Sequence, residues 1–216
     1  MDLIISICIC AVFDLSAQSP KRSVTWKLDS LKKIGGNKVE VFGDPKVIKT
    51  NKGKALLFDG VDDGIFVAKD PVAGAEAFTI EAIFRPDSGG GKEQRWLHID
   101  DMENVESRAL LEIRLNDNEW FLDTFIKSGD ARSPLYAKNF KHPTGQWFHI
   151  ALVFDGMEMR HYVDGKLELS GKVNIRPFGQ GVTSIGVRQN KVFWFKGAVL
   201  KTRFTNRALS PKQFMK

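Results

Sequence analysis

Hydrophobic positions recur with period two along most of the chain. In FTIEAIF, residues 78 to 84, Phe78, Ile80, Ala82 and Phe84 alternate with Thr79, Glu81 and Ile83, the pattern of a half-buried strand. LLFDG, GIFVA, RWLHI, ALLEIRL and WFLDTFI are further short runs rich in β-formers, set apart by Gly, Asp, Asn and Pro. In WFHIALVFDGMEMRHYVDGKLELSG, residues 147 to 171, Asp155-Gly156 and Asp164-Gly165 stand between apolar runs. Asp-Gly in that setting is the strongest short-range hairpin signal, so three antiparallel strands are predicted here. A helical turn is predicted only at Ser210-Pro211-Lys212-Gln213, where an N-cap precedes Pro at the first helical position. So many strands with so little helix have to pack two sheets face to face, because a lone sheet leaves one apolar face wet. The predicted fold is an all-β, two-sheet antiparallel β-sandwich.

Length and composition fit that picture. At 216 residues and 43% hydrophobic, the chain can bury one sizeable core, and no internal repeat divides it. The start differs from the rest. Leu3 to Phe13 is an apolar run too short to span a bilayer, Ala17 offers a small residue before Gln18, and basic sequence begins at Pro20-Lys21-Arg22. Residues 1–18 therefore read as a secretory signal peptide and 19–216 as the mature domain, secreted or held in a periplasm or on a cell surface. Both cysteines, Cys8 and Cys10, fall in the signal, which excludes disulfides, Cys-ligated zinc and thiol catalysis from the mature chain. Ser6-Ile7 is a poor lipobox for a lipid-bearing Cys8. Cleavage removes Asp2 and Asp14 and no base, so the net charge goes from +6 to +8. An exported basic protein meets acidic polysaccharides and envelope surfaces.

The stretch ALLFDGVDDGIFVA, residues 55 to 68, crowds Asp59, Asp62 and Asp63 between two apolar runs. Such carboxylates can bind a metal, share a proton in catalysis, or build a turn. Calcium takes six to eight oxygens on a flexible loop, and Asp62 and Asp63 could supply two of them. Asp59-Gly60 turns the chain between two strands, with Gly60 free to take a positive φ.

ALLFDGVDDGIFVA, FTIEAIFRPD, QWFHIALVFDG, HYVDGKLELSG and FKGAVLKTRFTNRALSPKQF stand in the order seen in laminin-G-like domains. The chain resembles the laminin-G-like branch of the concanavalin A-like lectin/glucanase superfamily, from about Trp26 to the C-terminus. The resemblance implies a jelly roll, a carbohydrate-facing sheet, packing roles for Trp147 and for His149 in W-x-H, and a mainly structural F-D-G. It leaves function open, since one fold hosts lectins, glycosidases, lyases and adhesion domains.

Glucanases of this superfamily place alternate carboxylates as E-x-D-x-x-E on one strand. Here Glu112 is followed two residues on by Arg114, which argues against that mechanism. A polysaccharide lyase would need an Arg, a His and a Tyr for uronate neutralisation and proton transfer; His98, Arg114, Tyr136 and Lys138 are the counterparts, in an unfamiliar order. SGGGKE departs from a phosphate loop at Pro86 and Glu93, the four histidines lack metal-ligand spacing, and the scattered basic charge lacks a nucleic-acid motif. A binding module needs aromatic platforms and polar side chains around them. If Leu97 and Ile99 take one face of RWLHI, Arg95, Trp96 and His98 are left for the accessible side; Trp194 points opposite Phe193 and Phe195. Trp96 and Trp194 are the expected platforms, with His98, Arg114, Lys127 and Arg188 able to pair with acidic glycan groups. The sequence reads as an exported, non-catalytic carbohydrate-binding or adhesion module for a glycan, with a small polysaccharide lyase and a protein-binding surface domain as alternatives. No membrane span and no nucleic-acid partner are expected, and calcium is the one cofactor considered.

Overall fold

The structure, a computed structural model, describes residues 23–104 and 106–216; the expected signal peptide, with Cys8 and Cys10, lies outside them. Its strands in chain order are β1 (Ser23–Lys27), β2 (Lys33–Ile34), β3 (Asn37–Phe42), β4 (Lys46–Thr50), β5 (Gly53–Asp59), β6 (Gly64–Val67), β7 (Phe78–Pro86), β8 (Glu93–Asp101) and β9 (Arg108–Asn116). They continue with β10 (Glu119–Ser128), β11 (Ala131–Tyr136), β12 (His142–Pro143), β13 (Phe148–Phe154), β14 (Glu158–Val163), β15 (Lys166–Lys172), β16 (Gly181–Ile185) and β17 (Lys196–Thr205). One sheet of eight strands runs β15-β14-β13-β7-β17-β5-β4, with β1 also on β17. The other, of nine, runs β11-β10-β9-β8-β16-β6-β3-β2, with β12 on β10. All pairings are antiparallel, so the β-sandwich holds, as does the meander β13-β14-β15. Its turn residue Asp164 has φ 47° and Gly165 φ 75°, the left-handed pair that a two-residue hairpin needs. The expected helical turn is a single 3₁₀ turn, Pro211–Gln213, and Gln213 Oε1 accepts the Ser210 amide at 3.1 Å.

The core lies between the sheets. Phe84 of β7 meets Trp96 at 5.4 Å, Trp120 at 5.2 Å and Phe195 at 6.2 Å between ring centroids. Each such buried aromatic contributes about 2 kcal/mol from burial alone, which outweighs any single surface pair. The alternation in FTIEAIF is only half the story, however. Thr79 and Glu81, on the far face of β7, are buried as completely as Phe78 and Ile80. Residues 205–215 fold over that face: the Thr79 hydroxyl donates to the Arg207 carbonyl and accepts the Leu209 amide, both at 2.9 Å. Glu81 accepts from Arg203 Nε (2.6 Å) and the Met215 amide (2.7 Å), and its Oε1 lies 3.0 Å from His149 Nε2. His149 thus has the structural role its resemblance implied. Trp147 does not sit in the core. It is half-buried outside β13, with the Arg85 guanidinium 5.6 Å from its ring, and Phe148 takes the inward position.

The stretch of three aspartates joins the two sheets, since β5 and β6 lie in different ones. Gly60 takes φ 80°, and a Cβ there would come within 2.7 Å of Lys196 Cβ, so only glycine fits.

Candidate functional site

Pairing register aligns the outward residues of the nine-stranded sheet into rows. One row reads Arg95, Glu112, Asp123, Tyr136 across β8, β9, β10 and β11. The next reads Ser184, His98, Leu110, Phe125, Pro134, beginning on β16. The third reads Asp100, Arg108, Lys127, Arg132. Strands lie about 4.8 Å apart, so side chains within a row are immediate neighbours.

The first row is charge-compensated. Arg95 Nε donates to Glu112 and Arg95 Nη1 to Glu93 at 2.8 Å. Arg114, one row further out, donates from Nε to Asp123 at 2.7 Å and is paired with Glu93 and, at 3.9 Å, with Glu112. Glu112 and Asp123 are both buried. Burial and then the facing Asp123 push the Glu112 carboxyl up to about 7, and burial likewise raises Asp123. Tyr136, 49% exposed, stands at the end of this row, its ring 5.6 Å from the Arg114 guanidinium and 4.8 Å from Phe121.

The third row is compensated only in part, by Asp100 opposite Arg108. Arg108 and Lys127 face each other across β9 and β10, and Lys127 faces Arg132 across β10 and β11. Like charges set opposite one another each cost roughly 0.2–1 kcal/mol. Lys127 is paired with the exposed Glu106; neither Arg108 nor Arg132 forms an ion pair among the described residues. Arg188 adds a fourth cation, also unpaired among the described residues. Burial, then Arg108 and Arg95, holds its guanidinium below its usual range.

Between the two rows lies His98, 2% exposed. Its Nδ1 accepts the Gln189 amide at 3.2 Å, while Nε2 is buried without a partner among the described residues. Burial, then Arg188, Arg108 and Arg95, lowers this imidazole to about 3, so it is neutral. The segment 186–195 that covers it carries two non-glycine residues at positive φ, Lys191 (58°) and Phe193 (62°). Phe193 is held by the Arg95 guanidinium 3.8 Å above its ring, and Lys191 stands 3.9 Å over the Phe42 ring.

The predicted residues therefore scatter in role. Arg114 and Tyr136 come together, His98 lies a row away under the 186–195 segment, and Lys138 is exposed beyond β11. Lys127 and Arg188 join the partly compensated row. Trp96 is no platform: it is fully buried. A bulge between Arg95 and Leu97 puts Trp96 and Leu97 both on the core side, which strict alternation cannot foresee. Trp194 is half-buried, with its ring edge beside Gly64. Sequence reasoning missed Arg108, Asp123 and Arg132; alternation along their strands puts each on a face, but only the register makes them neighbours.

Away from this face, one ligand oxygen from each of Asp59, Asp62 and Asp63 falls within 4.8 Å of the others. The carboxylates also shape the chain. Asp63 accepts the Asp44 amide (2.6 Å) and the Asp59 amide (3.0 Å), and Asp59 Oδ1 accepts that of Val61 (2.8 Å).

Comparison with solved structures shows the same fold at low identity. Domain 4 of AbnA, a GH43 extracellular arabinanase from Geobacillus stearothermophilus in complex with arabinotriose, is 18% identical at a TM-score of 0.66, over 88% of this chain and 94% of that one. The binding domain of Paraclostridial Mosquitocidal Protein 1 is 16% identical (TM-score 0.65), and that of Botulinum Neurotoxin DC in complex with SialylT is 15% identical (TM-score 0.60). In each, 88% of this chain is covered, and it spans about half of the other chain, 50% and 48%. No curated protein matches the chain. A family model described as the concanavalin A-like lectin/glucanases superfamily, of laminin-G type, matches residues 59–214. The chain belongs to that superfamily.

Proposed function

We propose that this chain is an exported, non-catalytic carbohydrate-binding module that takes an acidic polysaccharide across the outer face of its nine-stranded sheet. The observation that carries this reading is the row Arg108, Lys127, Arg132. Three cations on adjacent strands oppose their own kind; Asp100 stands opposite Arg108 without forming an ion pair among the described residues, and the exposed Glu106 pairs with Lys127. Carboxylate or sulfate groups spaced along a glycan would relieve that repulsion, with arginine binding them bidentately. Arg188 and the unused His98 Nε2 border the same strip, and Tyr136 offers an exposed ring at its edge. That the arabinanase domain and the toxin binding domain were solved with saccharides supports a carbohydrate ligand for the fold. The apolar run Leu3–Phe13 supports export.

Arg114 has no part in this contact, because Glu93 and Asp123 already occupy it. Calcium belongs to the proposal as a structural ion on Asp62 and Asp63, supported by the clustering of the three carboxylates.

The test is titration of the full chain with alginate, polygalacturonate and chondroitin sulfate beside a neutral glucan. Binding to an acidic polymer that weakens with salt and is lost in the Arg108→Ala/Arg132→Ala variant is expected. Equal binding to the neutral glucan would sink the acidic reading. Release of unsaturated-uronate absorbance from the acidic polymers would make the protein a lyase instead.

A further inference from the structure

A second group of cations lies on the other sheet, where β1, β17, β5 and β4 run side by side. Lys27 of β1 faces Lys201 of β17, and Lys49 of β4 faces Lys54 of β5. Like charges set directly opposite one another weaken a sheet, so the fold gains nothing from either pair. Lys52 stands between Lys49 and Lys54, in the hairpin turn that joins β4 to β5. Thr50 makes that turn: its hydroxyl donates to the Gly53 carbonyl at 2.7 Å and accepts the Lys52 amide at 3.1 Å, and the Lys52 side chain is left to solvent.

Four of these lysines, Lys27, Lys52, Lys54 and Lys201, line one open cleft of about 300 Å³, where β1 stops and the β4–β5 hairpin turns. Asp29, Gly53 and Leu200 complete the lining. Among the described residues, the lysines in ion pairs are Lys46, Lys127 and Lys141, so none of the five takes part in one. Lys201 alone is tethered, its Nζ donating to the Lys216 carbonyl at 3.4 Å. Asp29, the one carboxylate in the lining, is exposed.

The residue types narrow the occupant. Lysines repel a metal cation. A sugar ring or a base wants an aromatic platform, and the cleft lining has none. Arginine forks, as in the strip on the opposite sheet, seat bidentate anions in a fixed frame; lysines are hydrated point charges on flexible stems. They suit many phosphodiesters presented side by side, each reached by its own ammonium. Leu200 lies in the cleft, and Val47, 41% exposed, stands two residues from Lys49 on β4, so apolar surface adjoins the charges. About four to eight clustered basic residues make a seat for anionic lipid.

We propose that this lysine-lined end is a peripheral docking surface for an anionic phospholipid bilayer, whose headgroup phosphates take Lys27, Lys49, Lys52, Lys54 and Lys201. It shares no residue with the cationic strip. The two lie on different sheets, so a bilayer held here leaves the strip open, and the proposal stands whether or not that strip binds acidic glycan.

The experiment is co-sedimentation of the full chain with vesicles of phosphatidylcholine alone and of phosphatidylcholine mixed two parts to one with phosphatidylglycerol. The neutral vesicles measure whatever the apolar run Leu3–Phe13 contributes. Binding is expected to be stronger to the mixed vesicles and to fade with salt. A lysine near an anionic leaflet is worth about fivefold in partition, so Lys52→Gln/Lys54→Gln should lower the excess about 25-fold with the melting temperature unchanged. Lys27→Gln, worth about fivefold, serves if the hairpin variant fails to fold. Lys166→Gln/Lys172→Gln takes the same charge from β15, at the far edge of that sheet, and should leave binding nearly unchanged. Equal binding to the two kinds of vesicle, an equal loss in the β15 variant, or wild-type partition in the folded lysine variants would overturn the proposal. So would release from the vesicles by inorganic phosphate beyond that caused by chloride of the same ionic strength, which would make the cleft a small-anion pocket.

Discussion

Two halves of one sheet face handle charge in opposite ways. In the half around Arg95 and Arg114, three carboxylates answer two guanidiniums, and every group is held by hydrogen bonds within the fold. In the half around Arg108, Lys127 and Arg132, the cations outnumber their partners and face one another. Residue type alone does not separate the two, since both are arginine-rich strands beside acidic ones. What separates them is whether the fold already uses the charge. A fully answered ion network is architecture, and an unanswered one is capacity to bind.

The contrast can be broken most directly at Asp123. Asp123→Ala leaves Arg114 half-desolvated beside Glu93 and the more distant Glu112, and a loss of about 3 kcal/mol in unfolding free energy is expected from denaturant titration. A loss within error would mean that the compensated half is not structural. At the boundary between the halves, acid sharpens the comparison. His98 has its folded value lowered to about 3, against an ordinary 6.5, so the stability it contributes is present above 6.5 and is lost as pH falls towards 3. The deficit reaches about 2 kcal/mol by pH 5, and His98→Gln should remove that part of the pH dependence in urea titrations between pH 7 and 5. Arg188→Ala should shrink the same deficit, because one of the repelling charges is gone.

Arg108→Ala and Arg132→Ala test the cationic half. Each should lower acidic-glycan affinity about tenfold, with a flatter salt dependence, while leaving the fold as stable as before or firmer by about 0.5 kcal/mol. A stability loss above 1 kcal/mol in Arg132→Ala would place that residue with the architectural half instead. The smallest effect is expected away from the sheet face. Calcium in excess should raise the melting temperature by about 2 °C, and Asp62→Asn should abolish the rise.

How far the sequence could carry these distinctions depends on what each one rests on. Asp155-Gly156 and Asp164-Gly165 announce the meander because turn chemistry is local. The strands around Phe78 and Leu111 announce themselves through alternation, which is local as well. Trp96 shows where local rules stop: one bulged residue sends two successive side chains inward, and nothing in RWLHI marks it. Thr79 and Glu81 look solvent-facing until residues 205–215 cover them, a contact about 130 positions away in the chain. The site was legible only in its residue types. Lys127 and Arg188 proved to be unspent or nearly so and Arg114 spent, and that difference lives in cross-strand register, which alternation leaves undetermined.

The closure of β7 bears on how the molecule comes to be. One of its strand partners, β17, and all but one of the groups that satisfy Thr79 and Glu81 come from residues beyond 195, the exception being His149 of the other partner, β13. During synthesis β7 can pair with β13 but lacks β17 and its lid until those residues leave the ribosome. Completion of that sheet is thus deferred to the end of translation.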